Sequence, residues 1–304
     1  MNVSFDIDEG ECLGLIGESG SGKSTIGSLI GNFLTGYEGS IHLMSNEKEL
    51  ADMSKKERHD LYRDIQVVFQ NPWQSFPPNM CVGEGIAEGI RYYSRGLASD
   101  QKKLKEKVLE TMHLVGLSAS YYQKKCRELS GGECQRAAIG RAIIRSPRLL
   151  ICDEVTSALD VSIQAQIINL LGDLQKQLGL TILFISHDLR VVRHITHRVA
   201  VMYLGSVMEL GPTEEIFEQP FHPYTSVLTK AAPVMNPLNR SREYVIEGET
   251  PSPINMPSGC RFHPRCPYCT ERCKTETPQL REVAPGRFVA CHCPLGCAAT
   301  KEED

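Results

Sequence analysis

Short apolar runs bounded by turn-forming residues recur through the first two thirds of the chain, at 12–16, 65–69, 149–152, 181–185 and 199–203. Each is too short for a core helix and has no polar face, which is the pattern of a strand buried inside a sheet. Asn71-Pro72 forbids continuation of the second run beyond Gln70. Val3, Phe5 and Ile7 alternate with polar residues, as a half-buried strand does, and Asp8-Glu9-Gly10-Glu11 turns the chain into the first run. Residues 40–44 read as one more short strand and 46–63 as a solvated loop and helix. Helical spacing takes over elsewhere: 25–34 is helix-like, and Ile163, Ile167, Leu170, Leu171, Leu174 and Leu178 line one face of a helix that Gly179 stops. From 73 to about 146, helix-like segments are separated by Pro77-Pro78, Gly96 and Gly116, predicting a helical subdomain. Residues 206–210 pair with 199–203 as a hairpin through Leu204-Gly205. Beyond it, 211–259 carries eight prolines and little periodicity, so it reads as an ordered wrap or linker and not as another layer of core.

With 304 residues, 41% hydrophobic and 23% charged, the chain can bury one large core and carry a smaller appended unit. A net charge of -4 gives no reason to expect a polyanionic partner, so no nucleic acid is expected. No run approaches the ~18 apolar residues of a membrane span, and the acidic start is unlike a secretory signal. A cytoplasmic location follows as the expectation. Of twelve cysteines, seven (Cys260, Cys266, Cys269, Cys273, Cys291, Cys293, Cys297) fall in the last 45 residues. In a reducing compartment such a cluster is a metal-site candidate before a disulfide candidate. It has too few apolar residues to order itself, so a bound metal is expected to fold it.

The chemistry concentrates between the first apolar run and the helix after it: Gly17, Glu18, Ser19, Gly20, Ser21, Gly22, Lys23 and Ser24, with Thr25 beginning the helix. Glycines at this spacing let successive backbone N–H groups curl around an anion, and the helix points its positive end at the same place. Lys23 would reach the β- and γ-phosphates of a nucleotide and Ser24 would sit on Mg²⁺. A glycine-rich surface turn is the bland alternative, but strand before and helix after argue against it. Ser130, with Glu133 three residues on, makes a capping box in which Gly131 and Gly132 bare N–H groups, a second anion site. Asp153 and Glu154 end a buried strand, where adjacent carboxylates are costly unless a cation or a reaction uses them. Asp153 would hold Mg²⁺ and Glu154 would polarise an attacking water. His187 ends the strand at 181–185 and is placed to contact a γ-phosphate.

The phosphate loop, Gln70, Leu-Ser-Gly-Gly-Glu-Cys-Gln-Arg at 129–136, Leu-Leu-Ile-Cys-Asp-Glu at 149–154, Ser-Ala-Leu-Asp at 157–160 and His187 stand in one order. In this the chain resembles the ATP-binding subunit of an ABC transporter over residues 3 to about 210. Phe221-His222-Pro223-Tyr224-Thr225, Pro251-Ser252-Pro253 and the stretch 259–267 further resemble the C-terminal region of oligopeptide/dipeptide importer ATPases, a group with nickel-importer relatives. The resemblance implies an α/β P-loop NTPase domain over 1–210 with an inserted helical subdomain at about 73–146. It implies a C-terminal extension over 211–304 with its cysteines at 260–297. Two such subunits would close head to tail. Lys23, Ser24, Gln70, Asp153, Glu154 and His187 would serve one ATP and its Mg²⁺, with Ser24, Gln70 and Asp153 around the metal. Ser130, Gly131 and Gly132 would serve the partner's ATP, and Asp160 would communicate across the interface. Two transmembrane permease subunits and an extracytoplasmic solute-binding protein complete the implied assembly, at the cytoplasmic face of the membrane. Cys260, Cys266, Cys273 and Cys291 fall where that group is associated with a four-iron, four-sulfur cluster; on spacing, Cys266, Cys269, Cys273 and Cys291 could equally bind zinc.

Three departures stand out. Family members usually carry a strand and an adenine-stacking aromatic ahead of the point where this sequence starts, and their absence here reads as truncation, a late-assigned start or another way of holding adenine. Glu133 stands where glutamine is commoner, and Phe76-Pro77-Pro78-Asn79 replaces a leucine-asparagine-proline run. Peptide import is the leading function, nickel or another small solute the alternative, and a soluble ABC-type ATPase of DNA repair or translation the rival from another class. The rival usually needs coiled coils or a second cassette, for which 304 residues leave no room.

Overall fold

The run at 12–16 forms strand β1 (Cys12–Ile16), buried along its whole length as its unbroken apolar sequence requires. The computed structural model describes residues 3–43, 48–91, 100–231, 251–252 and 255–296. It divides into two units: residues 1–7, 12–23 and 184–304 in the first, 8–11 and 24–183 in the second.

In the second unit, helix α1 (Lys23–Ile30) runs on from the phosphate loop and ends near Asn32, whose left-handed φ of 58° stops it short of the expected residue 34. Helix α2 (Lys55–Leu61) lies in the predicted solvated stretch and is started by a Ser54–Glu57 capping box. Strand β2 (Ile65–Val68) is followed by helices α3 (Val82–Arg91), α4 (Gln101–Leu114) and α5 (Gly131–Ile143). A methyl group on Gly89 of α3 would lie 2.3 Å from the Arg141 carbonyl of α5, so only glycine lets these helices approach so closely. Strand β3 (Leu149–Asp153) pairs in parallel with β2, Ile65 opposite Leu149 and Val68 opposite Cys152. Helix α6 (Val161–Leu178) buries Ile167, Leu170, Leu171 and Leu174 on the predicted face and ends at Gly179 in the left-handed conformation.

Strand β4 (Thr181–Ile185) contributes its first three residues to the second unit and its last two to the first. Helix α7 (Leu189–Ile195) then leads to strand β5 (Arg198–Tyr203), which pairs in parallel with β1. The predicted hairpin joins β5 to strand β6 (Ser206–Pro212) through Leu204 and Gly205, both at positive φ, as a two-residue turn between twisted strands requires.

Two expectations fail at the edges. Residues 3–7 keep alternating exposure yet form no strand, and 40–43 form none either; residue 44 lies outside the described residues. Alternation requires only one covered face, whereas a strand requires a neighbouring backbone with which to pair. The larger correction lies within 211–259, of which 232–250 and 253–254 lie outside the described residues. Ile216 on helix α8 (Thr213–Glu218), Phe221 after it, and Tyr224 and Val227 on helix α9 (Pro223–Ala231) are buried. Helix α10 (Glu271–Thr275) is followed by strands β7 (Arg281–Ala284) and β8 (Arg287–Val289). β8 pairs antiparallel with both β6 and β7, so this region extends the sheet and adds to the core. Phe262 is fully buried against the rings of Tyr203 and Tyr224, at centroid distances of 5.4 and 5.3 Å. A few large apolar groups inserted into an existing core order a segment too polar to build a core alone.

Candidate nucleotide site

In the first unit the phosphate loop leaves β1 through Gly17, whose φ of 147° and position against the Met202 carbonyl exclude a side chain; a Cβ there would lie 2.1 Å from that oxygen. Gly20 and Gly22 also hold positive φ. Lys23, 6% exposed, turns its ammonium back into the loop, donating to the carbonyls of Gly17 at 2.8 Å and Glu18 at 2.9 Å and to Ser21 Oγ at 3.3 Å. The Gly205 N–H donates to the Ser21 carbonyl at 2.9 Å and so anchors the loop to the β5–β6 turn. Ser19 and Gly20 are exposed at the rim. A cation buried among neutral oxygens, under a helix N-terminus, draws an anion to the loop. His187 is exposed and follows β4 between the buried Ser186 and the half-buried Asp188, where the Asp188 N–H donates to Ser186 Oγ at 3.0 Å.

In the second unit the Ser24 hydroxyl donates to Asp153 Oδ1 at 3.0 Å, so these two hard oxygen donors stand together. Gln70 Nε2 donates to Glu154 Oε2, also at 3.0 Å. The parallel register of β2 and β3 explains this meeting: Val68 faces Cys152, which brings the residues two beyond each strand pair level with one another. Glu154 sits at φ 50°, an unusual conformation for a residue with a side chain, fixed by Ser157 donating to its carbonyl through both N–H (3.1 Å) and Oγ (2.9 Å). Oxygen ligands at an exposed edge, leaving room for water, suit Mg²⁺. Hence Ser24 and Asp153 fit the ion that the resemblance implies, while Gln70 is held against Glu154.

Ser130 N-caps α5 as predicted, in a complete capping box. Its hydroxyl accepts from the Glu133 N–H at 3.3 Å and donates to Glu133 Oε2 at 2.9 Å, while the Ser130 N–H donates to the same carboxylate at 2.7 Å. Those contacts, led by the Ser130 N–H, hold Glu133 below the usual carboxylate range. A Cβ on Gly132 would lie 2.6 Å from Ile163 Cγ2, next to the cap of α6, where Asp160 accepts from the Ile163 N–H at 3.0 Å.

In the first unit Cys260, Cys266, Cys273, Cys291 and Cys293 line one narrow cavity with His222, His263 and His292, whereas Cys269 does not. Burial pushes the Cys266 thiol up to about 11 and the Cys291 thiol up to about 12. Among the described residues no three His, Cys, Asp or Glu side chains surround the position of a single ion. Cys297 lies outside the described residues.

Sequence reasoning missed the residues that hold the phosphate loop from outside. Tyr224 Oη accepts from the Glu18 N–H at 2.9 Å, and Arg265 Nη1 donates to the Glu18 carboxylate at 2.9 and 3.2 Å. Both lie in stretches that the family resemblance singled out, but nothing local in the sequence points either one at the loop.

The family model described as ABC transporter matches residues 1–157, and that described as oligopeptide/dipeptide transporter, C-terminal region, matches 208–273. The oligopeptide transport ATP-binding protein OppF of Haemophilus influenzae is 46% identical over 95% of this chain and 87% of its own length. The di/tripeptide transport ATP-binding protein DppF of Pseudomonas aeruginosa is 44% identical over 95% and 88%. Among solved structures, the ATP-binding cassette MJ0796, a dimer in a post-hydrolysis state bound to ADP and Pi, superposes with a TM-score of 0.62 at 30% identity, covering 70% of this chain and 89% of that one. Among the described residues no helix is long and apolar enough to cross a membrane. With both family regions matched in order and near-half identity sustained along almost its whole length, the chain belongs to the ABC transporter ATP-binding subunits, in the branch that carries the oligopeptide/dipeptide C-terminal region, and is an ABC-type ATPase.

Proposed function

We propose that the chain is the motor of a peptide importer, working at the cytoplasmic face of the membrane. The observation that carries this reading is the phosphate loop with the Lys23 ammonium drawn into it, in a chain whose C-terminal region matches the oligopeptide/dipeptide branch. Gly17 to Thr25 cradle the phosphates, with Lys23 on the β- and γ-phosphates. Ser24, Asp153 and Gln70 would hold Mg²⁺, which when bound would offset phosphate charge. Glu154, oriented by Gln70, accepts a proton from the attacking water, and His187 hydrogen-bonds the γ-phosphate. A second ATPase subunit closes head to tail, so that Ser130, Gly131 and Gly132 face the ATP of the other copy and Asp160 lies at the interface; the dimeric MJ0796 cassette supports that arrangement. Closure on ATP and opening after hydrolysis shift the population of two states, and the permeases follow.

Two permease subunits and a solute-binding protein complete the assembly. Phe33, Phe69 and Trp73 are exposed around Gln70, and Phe33 and Phe69 stack edge to face at 5.4 Å, an apolar surface suited to a permease helix. The helices between 73 and 146 form the rest of that dock as an inserted subdomain, and 211–304 form the C-terminal extension. Its thiols hold a [4Fe-4S] cluster on Cys260, Cys266, Cys273 and Cys291. All four line one cavity, which supports this set, and Cys269 stands beside it against Cys273, so the zinc set stays the alternative. Co-expression with permease and binding-protein partners in proteoliposomes tests the function: ATP-driven uptake of labelled di- and oligopeptides is expected, whereas uptake of nickel without peptide would move the reading to the alternative solute.

A further inference from the structure

We propose that Arg265 is a positioning residue for the phosphate loop: through Arg265 and Tyr224 the C-terminal region clamps Glu18 and so sets the ATP affinity of its own chain. The inference rests on the reading that this loop binds nucleotide. Its physical problem is Glu18, a carboxylate inside a loop whose work is to bind an anion. Left free, it would repel phosphate and compete for the same N–H groups. Arg265 removes both difficulties. Its side chain is 8% exposed and that of Glu18 22%, so the pair sits in a partly desolvated place where charge-assisted hydrogen bonds are strong.

The clamp has a second jaw. Tyr224, completely buried, takes the Glu18 N–H at 2.9 Å and thereby fixes the peptide plane that follows Gly17. The Lys23 ammonium is hydrogen-bonded to the carbonyl of that same peptide, Gly17, and to that of the next, Glu18, so its position depends on the same geometry. The jaws are braced together: Arg265 Nη1 also donates to Tyr203 Oη at 3.2 Å, Tyr203 and Tyr224 lie 4.8 Å apart ring to ring, and Phe262 packs on both. Arg261 donates to the Leu204 carbonyl in the turn whose Gly205 N–H holds Ser21. Cys266, next to Arg265, lines the thiol cavity together with Cys260. The state of that cavity is therefore one residue away from the side chain that holds the loop.

The test is a double-mutant cycle on the purified full-length chain, reading equilibrium ATP affinity with a fluorescent nucleotide and the unfolding midpoint in parallel. Arg265→Gln is expected to weaken ATP binding about tenfold, because it leaves the Glu18 carboxylate without its cation beside the phosphates; Glu18→Gln, which removes that carboxylate, should weaken binding far less, and the double variant should recover to the level of Glu18→Gln. Tyr224→Phe, which deletes one hydroxyl, should weaken binding several-fold while leaving the midpoint nearly unchanged, and it serves if Arg265→Gln does not fold. Arg272→Gln, on an exposed pair with Glu276 in the same segment, should bind ATP normally. ATP affinity unchanged in Arg265→Gln and Tyr224→Phe, or additive losses in the cycle, overturns the clamp. Lys23→Ala separates this failure from that of the underlying reading: if it binds ATP normally, the loop is not the nucleotide site and both ideas fall.

Discussion

Gln70 and Glu154 meet side chain to side chain, Nε2 donating to Oε2 at 3.0 Å across 84 positions of sequence. That hydrogen bond fixes the orientation of the carboxylate. Glu154→Gln should therefore keep ATP binding and lower turnover by about 10²–10⁴-fold, the usual contribution of a positioned base. Steady-state ATPase measured on the assembled transporter checks it; near-normal activity would remove Glu154 from that role.

Asp153 shares its carboxylate with the Ser24 hydroxyl and is the charged partner of the two. Asp153→Asn should raise the Mg²⁺ concentration needed for half-maximal ATPase, while binding of ATP in the presence of a chelator changes little. A Mg²⁺ titration of both proteins is decisive, and identical curves would reassign the metal ligand.

Ser130 already serves as cap for its own helix, with its hydroxyl in contact with Glu133. Ser130→Ala is expected to lower stability by about 1 kcal/mol from the lost cap alone. Ser130→Arg should leave ATP binding by the isolated chain intact and block ATP-induced dimerisation, read by light scattering with Glu154→Gln as background. Loss of ATP binding in the monomer would place Ser130 in cis.

Arg287 and Glu209 are the buried ion pair of the β6–β8 seam, 4% and 0% exposed, 3.0 Å apart. Glu209 also accepts the Phe221 and His222 N–H groups, and Arg287 stacks 3.7 Å from the Phe221 ring centroid. Burial pushes the Glu209 carboxyl up, and the N–H groups and Arg287 act against that rise. Arg287→Met leaves a buried carboxylate without its cation and should cost about 3–5 kcal/mol. Urea unfolding measures it; a loss below 1 kcal/mol would mean the two N–H donors suffice.

Cys260 and Cys269 separate the two metal readings. Anaerobic protein is expected to be brown, with iron and acid-labile sulfide, and Cys260→Ser should bleach it while Cys269→Ser should not. A colourless preparation that holds zinc and loses it on Cys269→Ser reverses the assignment.

The strands that were legible in the sequence are those whose apolar runs are buried on both sides, β1 and β4 above all, because their pattern reflects burial that no other local structure would satisfy. The phosphate loop and the cap at Ser130 were legible for a different reason: their geometry is made by residues within a few positions of each other. The short segments at 3–7 and 40–43 were misread, since alternation reports which side is covered and says nothing of a partner strand.

What the sequence by itself determined is thus the set of local devices and the order in which they occur. Which of them meet was decided only by the tertiary structure. Gln70 reaches Glu154 because β2 and β3 run parallel in one register, Arg265 reaches Glu18 across 247 positions because Phe262 packs on both Tyr203 and Tyr224, and the end of the described chain joins the sheet because β8 pairs with β6. Pairing at that range depends on strand register and on which apolar groups fill a common core, and both are properties of the assembled chain that no local stretch encodes.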